Sequence, residues 1–317
     1  MKLPSEKIIR EIIIKKISLD LSKEKQENIE ELINSGIINI NKPQGPTSHQ
    51  VADYVKKILN IKKVGHSGTL DPNVTGCLVI ALGDSTRIVH HLLKAGKEYV
   101  ALMYLHKKVD EKKIREIIKK FIGEINQKPP VKSAVKRVMR QRKIYYLNIL
   151  EIDNQNVLFE VGCEAGTYIR KLIHDIGKKL DTNAHMVQLI RTKVGPFSDN
   201  TWHSLYELKD AYEFYKNGND QELKKIINPI NQAIKHLAKI WIDENTIKTI
   251  SHGADLAIPG VIKFNSDIKE KDTVAILTLQ NELVCTGIAK MSSKDIKKAK
   301  KGIVVKTKKV FMKSKSF

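Results

Sequence analysis

Apolar residues recur along this chain at two spacings, and the spacings separate helices from strands. Val51, Val55, Ile58 and Leu59 fall on one face of a predicted helix that Thr47 or Ser48 can cap. The unbroken apolar run from Cys77 to Leu82 reads as a buried strand. Ile88, Val89, Leu92 and Leu93 mark the inner face of a helix over 85–95, and residues 99–105 read as a strand. Asp110 caps a helix carrying Ile114, Ile117, Ile118 and Phe121. Residues 144–152 and 157–163 alternate as a hairpin around the turn from Asp153 to Asn156. A helix over 167–180 turns Ile169, Leu172, Ile173, Ile176 and Leu180 inward, and a strand over 186–194 follows. Helices interleaved with hairpins predict an α+β fold with a mixed, mainly antiparallel central sheet flanked by helices.

The breaks in this pattern divide the chain. Residues 1–35 are rich in Lys, Glu and Ile and read as a helical or partly disordered N-terminal extension. A main domain is expected over 36–235. Within it, Lys128 to Arg142 reads as a basic loop, too polar for a core strand and too rich in breakers for a helix. A charged, Asn-containing loop spans 216–221. From about residue 240 the composition shifts to short strands broken by Gly and Asp, which sets off a C-terminal domain over 238–313.

Charge narrows the partner. The formal net charge of +21 points to a polyanion, nucleic acid first and an anionic membrane surface second. No apolar stretch approaches the ~20 residues of a membrane span. The Ile-rich run from Ile8 to Ile14 is interrupted by Arg10 and Glu11 and lacks the apolar core of a secretory signal, so a cytoplasmic protein is expected. Cys77, Cys163 and Cys285 stand far apart, which favours buried thiols over a disulfide or zinc site. The His show no ligand spacing either, and no metal or cofactor is expected. Lys outnumbers Arg by 48 to 8, which makes each Arg informative, because Lys cannot copy a planar bidentate donor. Arg87, Arg170 and Arg191 are the ones nearest the segments below, and Arg137, Arg140 and Arg142 cluster.

The stretch Gly65-His66-Ser67-Gly68-Thr69-Leu70-Asp71-Pro72-Asn73-Val74-Thr75-Gly76 is crowded with turn residues and carries one carboxylate. Pro72 fixes its own φ and pushes Asp71 toward an extended conformation. An isolated Asp-Pro is usually a turn starter. Here it leads straight into the buried run from Cys77, so a rigid loop presents one acid from a strand.

This loop resembles the catalytic loop of the TruB-type pseudouridine synthases, G-H-x-G-T-L-D-P-x-x-x-G, at every fixed position. The resemblance continues in Ile40-Asn41-Lys42-Pro43-Gln44-Gly45-Pro46-Thr47-Ser48, in Lys97-Glu98-Tyr99, in Gly166-Thr167-Tyr168-Ile169-Arg170 and in the segment from Leu189 to Phe197. The segment from Pro129 to Arg137, with Arg142 to Tyr146, is similar to the archaeal and eukaryotic branch, the dyskerin-like synthases of box H/ACA ribonucleoproteins. The compact ends, without a long Lys/Glu tail, suggest the archaeal side. His252 to Leu256, Pro259 to Val261, Lys271 to Ile276 and Gly302 to Val305 resemble a PUA domain, which implies a small RNA-binding β-barrel. The resemblance covers roughly residues 30–312.

The resemblance implies a pseudouridine synthase fold and the isomerisation of uridine in rRNA or tRNA. In that reaction the N1–C1′ bond breaks, the uracil turns, and C5 bonds to C1′. The sugar becomes cation-like, as in glycoside hydrolysis. A carboxylate can attack C1′ or stabilise its charge. By resemblance, Asp71 is that carboxylate, Arg170 pairs with it and holds it charged in a dry pocket, and Tyr99 stacks on the base. Ile169 and Leu189 match positions that pack against the base. Lys42, His66, Lys97 and the basic cluster from Lys132 to Lys143 are candidates for RNA phosphates. Implied partners are a guide RNA, rRNA, tRNA and small accessory proteins. Three readings stay open: the guided catalytic subunit, a stand-alone enzyme for the tRNA T-loop, and a non-catalytic RNA-binding scaffold.

Overall fold

The structure is a computed structural model that describes residues 2–3, 6, 10–16, 28–129 and 136–312. It divides into two compact units. One comprises residues 1–7, 38–81 and 89–226, the other residues 8–37, 82–88 and 227–317.

The first unit is built on a mixed sheet. Its strand order is Ile37–Lys42, Thr75–Leu82, Ala184–Val194, Lys97–Leu105, Asn156–Cys163, Arg140–Asp153, Gly123–Gln127. Thr75–Leu82 runs parallel to Ala184–Val194, and the pairs after it are antiparallel. The α+β expectation therefore holds. Helices Glu111–Lys119 and Ile169–Lys179 pack on one face. Ile114, Ile118, Leu172, Ile173 and Ile176 join Ala101, Met103, Val157, Phe159 and Val161 in a single apolar core. Thr47 caps helix Ser48–Ile58 in a capping box with Gln50, which leaves the Ser48 hydroxyl for another use.

Some local readings change. The helix expected over 85–95 is a 3-10 turn, Gly83–Ile88, followed by helix Val89–Lys94, and Leu93 is exposed. The basic segment is no loop at its C-terminal end. Arg140 to Arg142 open a strand that pairs with the edge strand Gly123–Gln127; its pairing with Asn156–Cys163 starts only at Ile144, so the charged residues stand at the open end of the sheet. Residues 130–135 of that segment lie outside the described residues.

The second unit is a barrel-like sheet in the order Ile12–Ile14, Val261–Asn265, Ala238–Ile242, Thr273–Leu277, Leu283–Ala289, Ile303–Val310, Leu256–Ala257. Its core gathers Ile240, Ile242, Val261, Phe264, Ile276, Val284 and Val305. The N-terminal Ile run is a strand here, not a helix. Ile13 lies opposite Phe264 and packs on this core, while Ile12 and Ile14 point outward. Three consecutive β-branched residues suit that alternation better than a helix. Helix Ile29–Ser35 is the helical part of the extension.

Candidate active site

Asp71 opens a tight turn in which the Val74 N–H donates to the Asp71 carbonyl at 3.0 Å. Pro72 occupies the second position of that turn, where its fixed φ is favourable. Leu70 and Val74, on either side, are buried and anchor the turn in the core. The Ser48 hydroxyl accepts from the Leu70 N–H at 2.8 Å and donates back to the Leu70 carbonyl at 3.3 Å. Lys42 is wholly buried, and its ammonium donates to the carbonyls of Pro43, Pro72 and Val74 at 2.8, 3.0 and 2.9 Å. Its three protons are thereby spent on the loop, and none is left for an RNA phosphate. Gly76 lies opposite Arg191 across the parallel pair, with φ at +103°. A Cβ there would stand 2.3 Å from the Arg191 carbonyl oxygen, so the close approach requires glycine.

Arg191 is the largest fully buried side chain of the described residues. Its Nε donates to the Cys77 carbonyl at 2.7 Å and its Nη2 to the Gly68 carbonyl at 3.2 Å. It also hydrogen-bonds the Tyr99 side chain. One guanidinium thus ties both ends of the Asp71 loop to the neighbouring strand. Burial raises the Tyr99 phenol above its ordinary value, and the Arg191 charge offsets only part of that. The phenol stays protonated and is no general base at neutral pH. Tyr99, Ile169 and Leu189 share one buried apolar cluster with Leu70 and Val74, the residues that flank the Asp71 turn. His66 is half-buried and meets His49 edge to face at 4.7 Å. The Gly68 N–H donates to its Nδ1 at 3.4 Å, which assigns the ring proton to Nε2. Burial lowers its pKa, and His49 and Arg191 lower it further, so the ring is neutral at pH 7.

Arg170 enters from the first turn of helix Ile169–Lys179, and its Nη2 contacts Asp71 Oδ2. The Arg170 side chain is 60% exposed and that of Asp71 54%. The pair stands on an open surface and not in a dry pocket, because among the described residues none covers this side of the loop. An ion pair so exposed contributes ~1 kcal/mol at most, and its value here is positional. The start of the helix has no cap from the Tyr168 side chain. Gln127, buried at the end of its strand, instead fixes the residue from which the helix starts: its Oε1 accepts from the Tyr168 N–H at 2.9 Å and its Nε2 donates to the Tyr168 carbonyl at 3.2 Å.

Lys97 is also buried and capped. It donates to the carbonyls of Leu92, Leu93 and Ala95 at 3.0, 2.9 and 2.8 Å, closing the C-terminal end of helix Val89–Lys94. Of the expected phosphate contacts, Lys136, Arg137 and Lys143 are exposed. Arg142 lies against Gly166. Cys77, Cys163 and Cys285 are free and buried.

The comparisons with known proteins decide the family. The sequence pattern "TruB family pseudouridylate synthase (N terminal domain)" matches residues 56–169, and "tRNA pseudouridylate synthase B C-terminal domain" matches 170–235. The patterns of the DKCLD (NUC011) domain and the PUA domain match 24–52 and 238–311. A probable tRNA pseudouridine synthase B of Pyrococcus abyssi is 53% identical over 90% of this chain and 86% of its own. The chain belongs to the TruB family of pseudouridine synthases. A second relative of the same description, from Pyrococcus furiosus, is 50% identical over 98% of this chain and 93% of its own. Among solved structures, a chain of a Cbf5-Nop10-Gar1 complex superposes with a TM-score of 0.93 at 48% identity, covering 99% of this chain and 97% of that one. A chain of an H/ACA ribonucleoprotein bound to a substrate RNA containing 2'-deoxyuridine superposes at 0.91 with 46% identity, covering 99% and 98%.

As a TruB-family member the protein is an isomerase of RNA uridine. Three residues that position the site were not assigned that work from the sequence. Arg191 stood out by the scarcity of arginine and its place in the segment from Leu189 to Phe197, Ser48 as a possible cap at the end of the segment from Ile40, and Gln127 gave no signal.

Proposed function

We propose that this protein is the catalytic subunit of a guide-RNA ribonucleoprotein that isomerises uridine to pseudouridine in rRNA or tRNA, with Asp71 as the reacting carboxylate. The observation that carries the reading is one carboxylate set on a loop fixed by Lys42, Ser48 and Arg191 and met by Arg170. A uridine in folded RNA must leave its stack to reach that loop. The extruded base would cover the open side of the Asp71–Arg170 pair, and water would leave. Asp71 attacks C1′ or stabilises its cation as the N1–C1′ electrons pass to uracil. The uracil turns above the wall of Tyr99, Ile169 and Leu189, C5 bonds to C1′, and the C5 proton is released while N1 gains one. No atom is gained or lost. The net charge of +21 makes RNA affinity fall steeply with salt.

Within this reading, residues 36–235 form the catalytic domain, 238–313 a PUA barrel for RNA, and 1–35 an extension. Small accessory proteins are expected partners, as in the complex with Nop10 and Gar1. A groove lined by Tyr54, Trp202, Tyr206 and Tyr212, with Tyr206 82% exposed, has the aromatic character of a protein interface. Among the described residues no helix is long and apolar enough to cross a membrane. We assign the protein to the cytoplasm, where its RNA substrates would be.

The relatives named tRNA pseudouridine synthase B support a second reading, a stand-alone enzyme for tRNA. Pseudouridine mapping on tRNA and rRNA fragments separates the two. The purified protein is incubated with and without the small-RNA fraction of its cell, with Asp71→Asn as the blank. Modification that needs small RNA establishes the guided enzyme. Modification of tRNA by protein alone establishes the second reading. The Asp71→Asn variant is expected to lose all turnover and keep RNA affinity within a few-fold, and turnover in that variant would refute the assignment of Asp71.

A further inference from the structure

Glu98 is buried, with 3% of its surface exposed, and it stands next to Tyr99 on strand Lys97–Leu105. Tyr99 turns into the apolar cluster beside the Asp71 turn, whereas Glu98 turns into a polar network. Three donors converge on its carboxylate. The Thr192 hydroxyl donates to Oε1 at 2.9 Å, the Lys193 ammonium donates to Oε2 at 3.0 Å, and the Tyr146 hydroxyl also donates to Oε2. Tyr146 reaches the acid across a glycine. Tyr146, Gly162, Glu98 and Lys193 form one row over four strands, and a Cβ on Gly162 would stand 2.3 Å from the Tyr146 ring. No step at Asp71 uses this carboxylate.

What the network holds is a bulge. On strand Ala184–Val194, Lys193 lies opposite Glu98 and Arg191 lies opposite Tyr99, so Thr192 is an extra residue between two pairs. Neighbours in a regular strand point to opposite faces. Thr192 and Lys193 are neighbours, yet both reach the same carboxylate. Regular pairing continued from Glu98 and Lys193 would set Thr192 opposite Tyr99 and Arg191 opposite Val100. The bulge shifts Arg191 by one position, to where it bonds the Tyr99 side chain and the Cys77 and Gly68 carbonyls. A buried ion pair is a poor source of stability, because desolvation offsets its attraction, and its best-attested use is to fix register.

We propose that Glu98 is a positioning residue for the isomerisation: it pins the bulge at Thr192 and so sets Arg191 against Tyr99 and the Asp71 loop. Glu98 itself touches no reacting atom. The proposal rests on the isomerase activity and holds with or without a guide RNA.

Single-turnover pseudouridine formation and RNA affinity are measured on the full chain, with the small-RNA fraction present or absent as the parent requires. A parent without turnover would sink the activity and this proposal together, whereas a normal parent with unaffected variants sinks this proposal alone. Thr192→Val keeps the shape of the side chain and removes the hydroxyl that ties the bulge to Glu98. It should slow the step about tenfold at unchanged RNA affinity, and Thr192→Ser, which restores the hydroxyl, should stay within about twofold of the parent. Glu98→Gln leaves one acceptor for three donors, while Lys193 keeps Glu6 at 3.6 Å. It should slow the step at least as much, and adding Thr192→Val to it should cost no more than about a further twofold. The deciding measurement is made on Tyr99→Phe, which removes the hydroxyl that Arg191 is set against. There Thr192→Val should cost less than about threefold, because the geometry it protects is already broken. A merely structural threonine would cost the same factor in both backgrounds, and that result would overturn the proposal. So would an unchanged rate in Thr192→Val, a failure of Thr192→Ser to restore it, or a rate loss matched by a loss of RNA affinity.

Discussion

Replacing Lys42 with Met tests how the Asp71 loop is held. The side chain is fully buried and its ammonium serves three carbonyls. The Pro72 carbonyl keeps a second donor, the Gly45 N–H at 3.0 Å, so it stays paired. The Pro43 and Val74 carbonyls lose the lysine. Pro43 is exposed, so water can replace the lost donor there, whereas the Val74 carbonyl is buried and, left unpaired, costs ~1–3 kcal/mol. Against it stands relief from burying an ammonium, whose pKa is lowered by burial and by Arg191. The expected net loss is ~0–2 kcal/mol, read as a small fall in the urea midpoint. The larger effect should be on rate. A displacement of ~1 Å at a reacting group can cost ~100-fold, and the loop carries Asp71 next to two of these carbonyls. Single-turnover pseudouridine formation should fall by about that factor, with RNA affinity little changed. A lysine that gripped phosphate would behave otherwise. Its removal would weaken binding and cut the salt slope by about one, at unchanged stability. That pattern in Lys42→Met would refute the buried role.

Gly76→Ala places a Cβ against the Arg191 carbonyl at a positive φ, and a loss of more than ~2 kcal/mol in urea-derived stability is expected. Gln127→Leu removes both bonds to the Tyr168 backbone and should slow single-turnover catalysis ~10-fold without altering RNA affinity; Gln127→Glu, which can still accept from the Tyr168 N–H, should fall between the two. Lys97 has a pKa lowered to about 7 by burial and by Arg191, against an ordinary value of 10.5. Between those values the unfolded chain binds the extra proton, so the cost of burying this charge is present below pH 7 and is relieved as pH rises. Relative to Lys97→Met, the parent should gain stability from pH 7 toward 10, and urea midpoints that stay parallel across that range would refute the assignment.

The reacting centre was legible because its chemistry is local. Gly, Asp and Pro in the Asp71 loop specify a turn whatever surrounds them, and Arg170 stands at a helix start that the spacing of Ile169, Leu172, Ile173 and Ile176 already marked. Lys42 and Lys97 were read as solvated partners for phosphate because nothing in a sequence distinguishes a lysine facing water from one facing free carbonyls. Those carbonyls become free only when the loop and the short helix have folded. Gln127 was invisible for the same reason: its partner is the backbone of Tyr168, and any residue would offer that backbone. The Ile12–Ile14 strand was missed because its pairing partner, Val261–Asn265, lies near the opposite end of the chain.

That strand has a consequence for biosynthesis. Val261–Asn265 would otherwise present a row of open N–H and C=O groups at the rim of its sheet, a template on which a second chain can add. Ile12 to Ile14 is synthesised long before its berth, Val261–Asn265. For most of synthesis it is an unpaired apolar strand, able to pair with the same segment of a neighbouring nascent chain. A cell making this protein must keep that segment apart from its copies until the barrel is complete, so yield on expression should depend on chaperone supply and on the rate of translation more than on the stability of the finished fold.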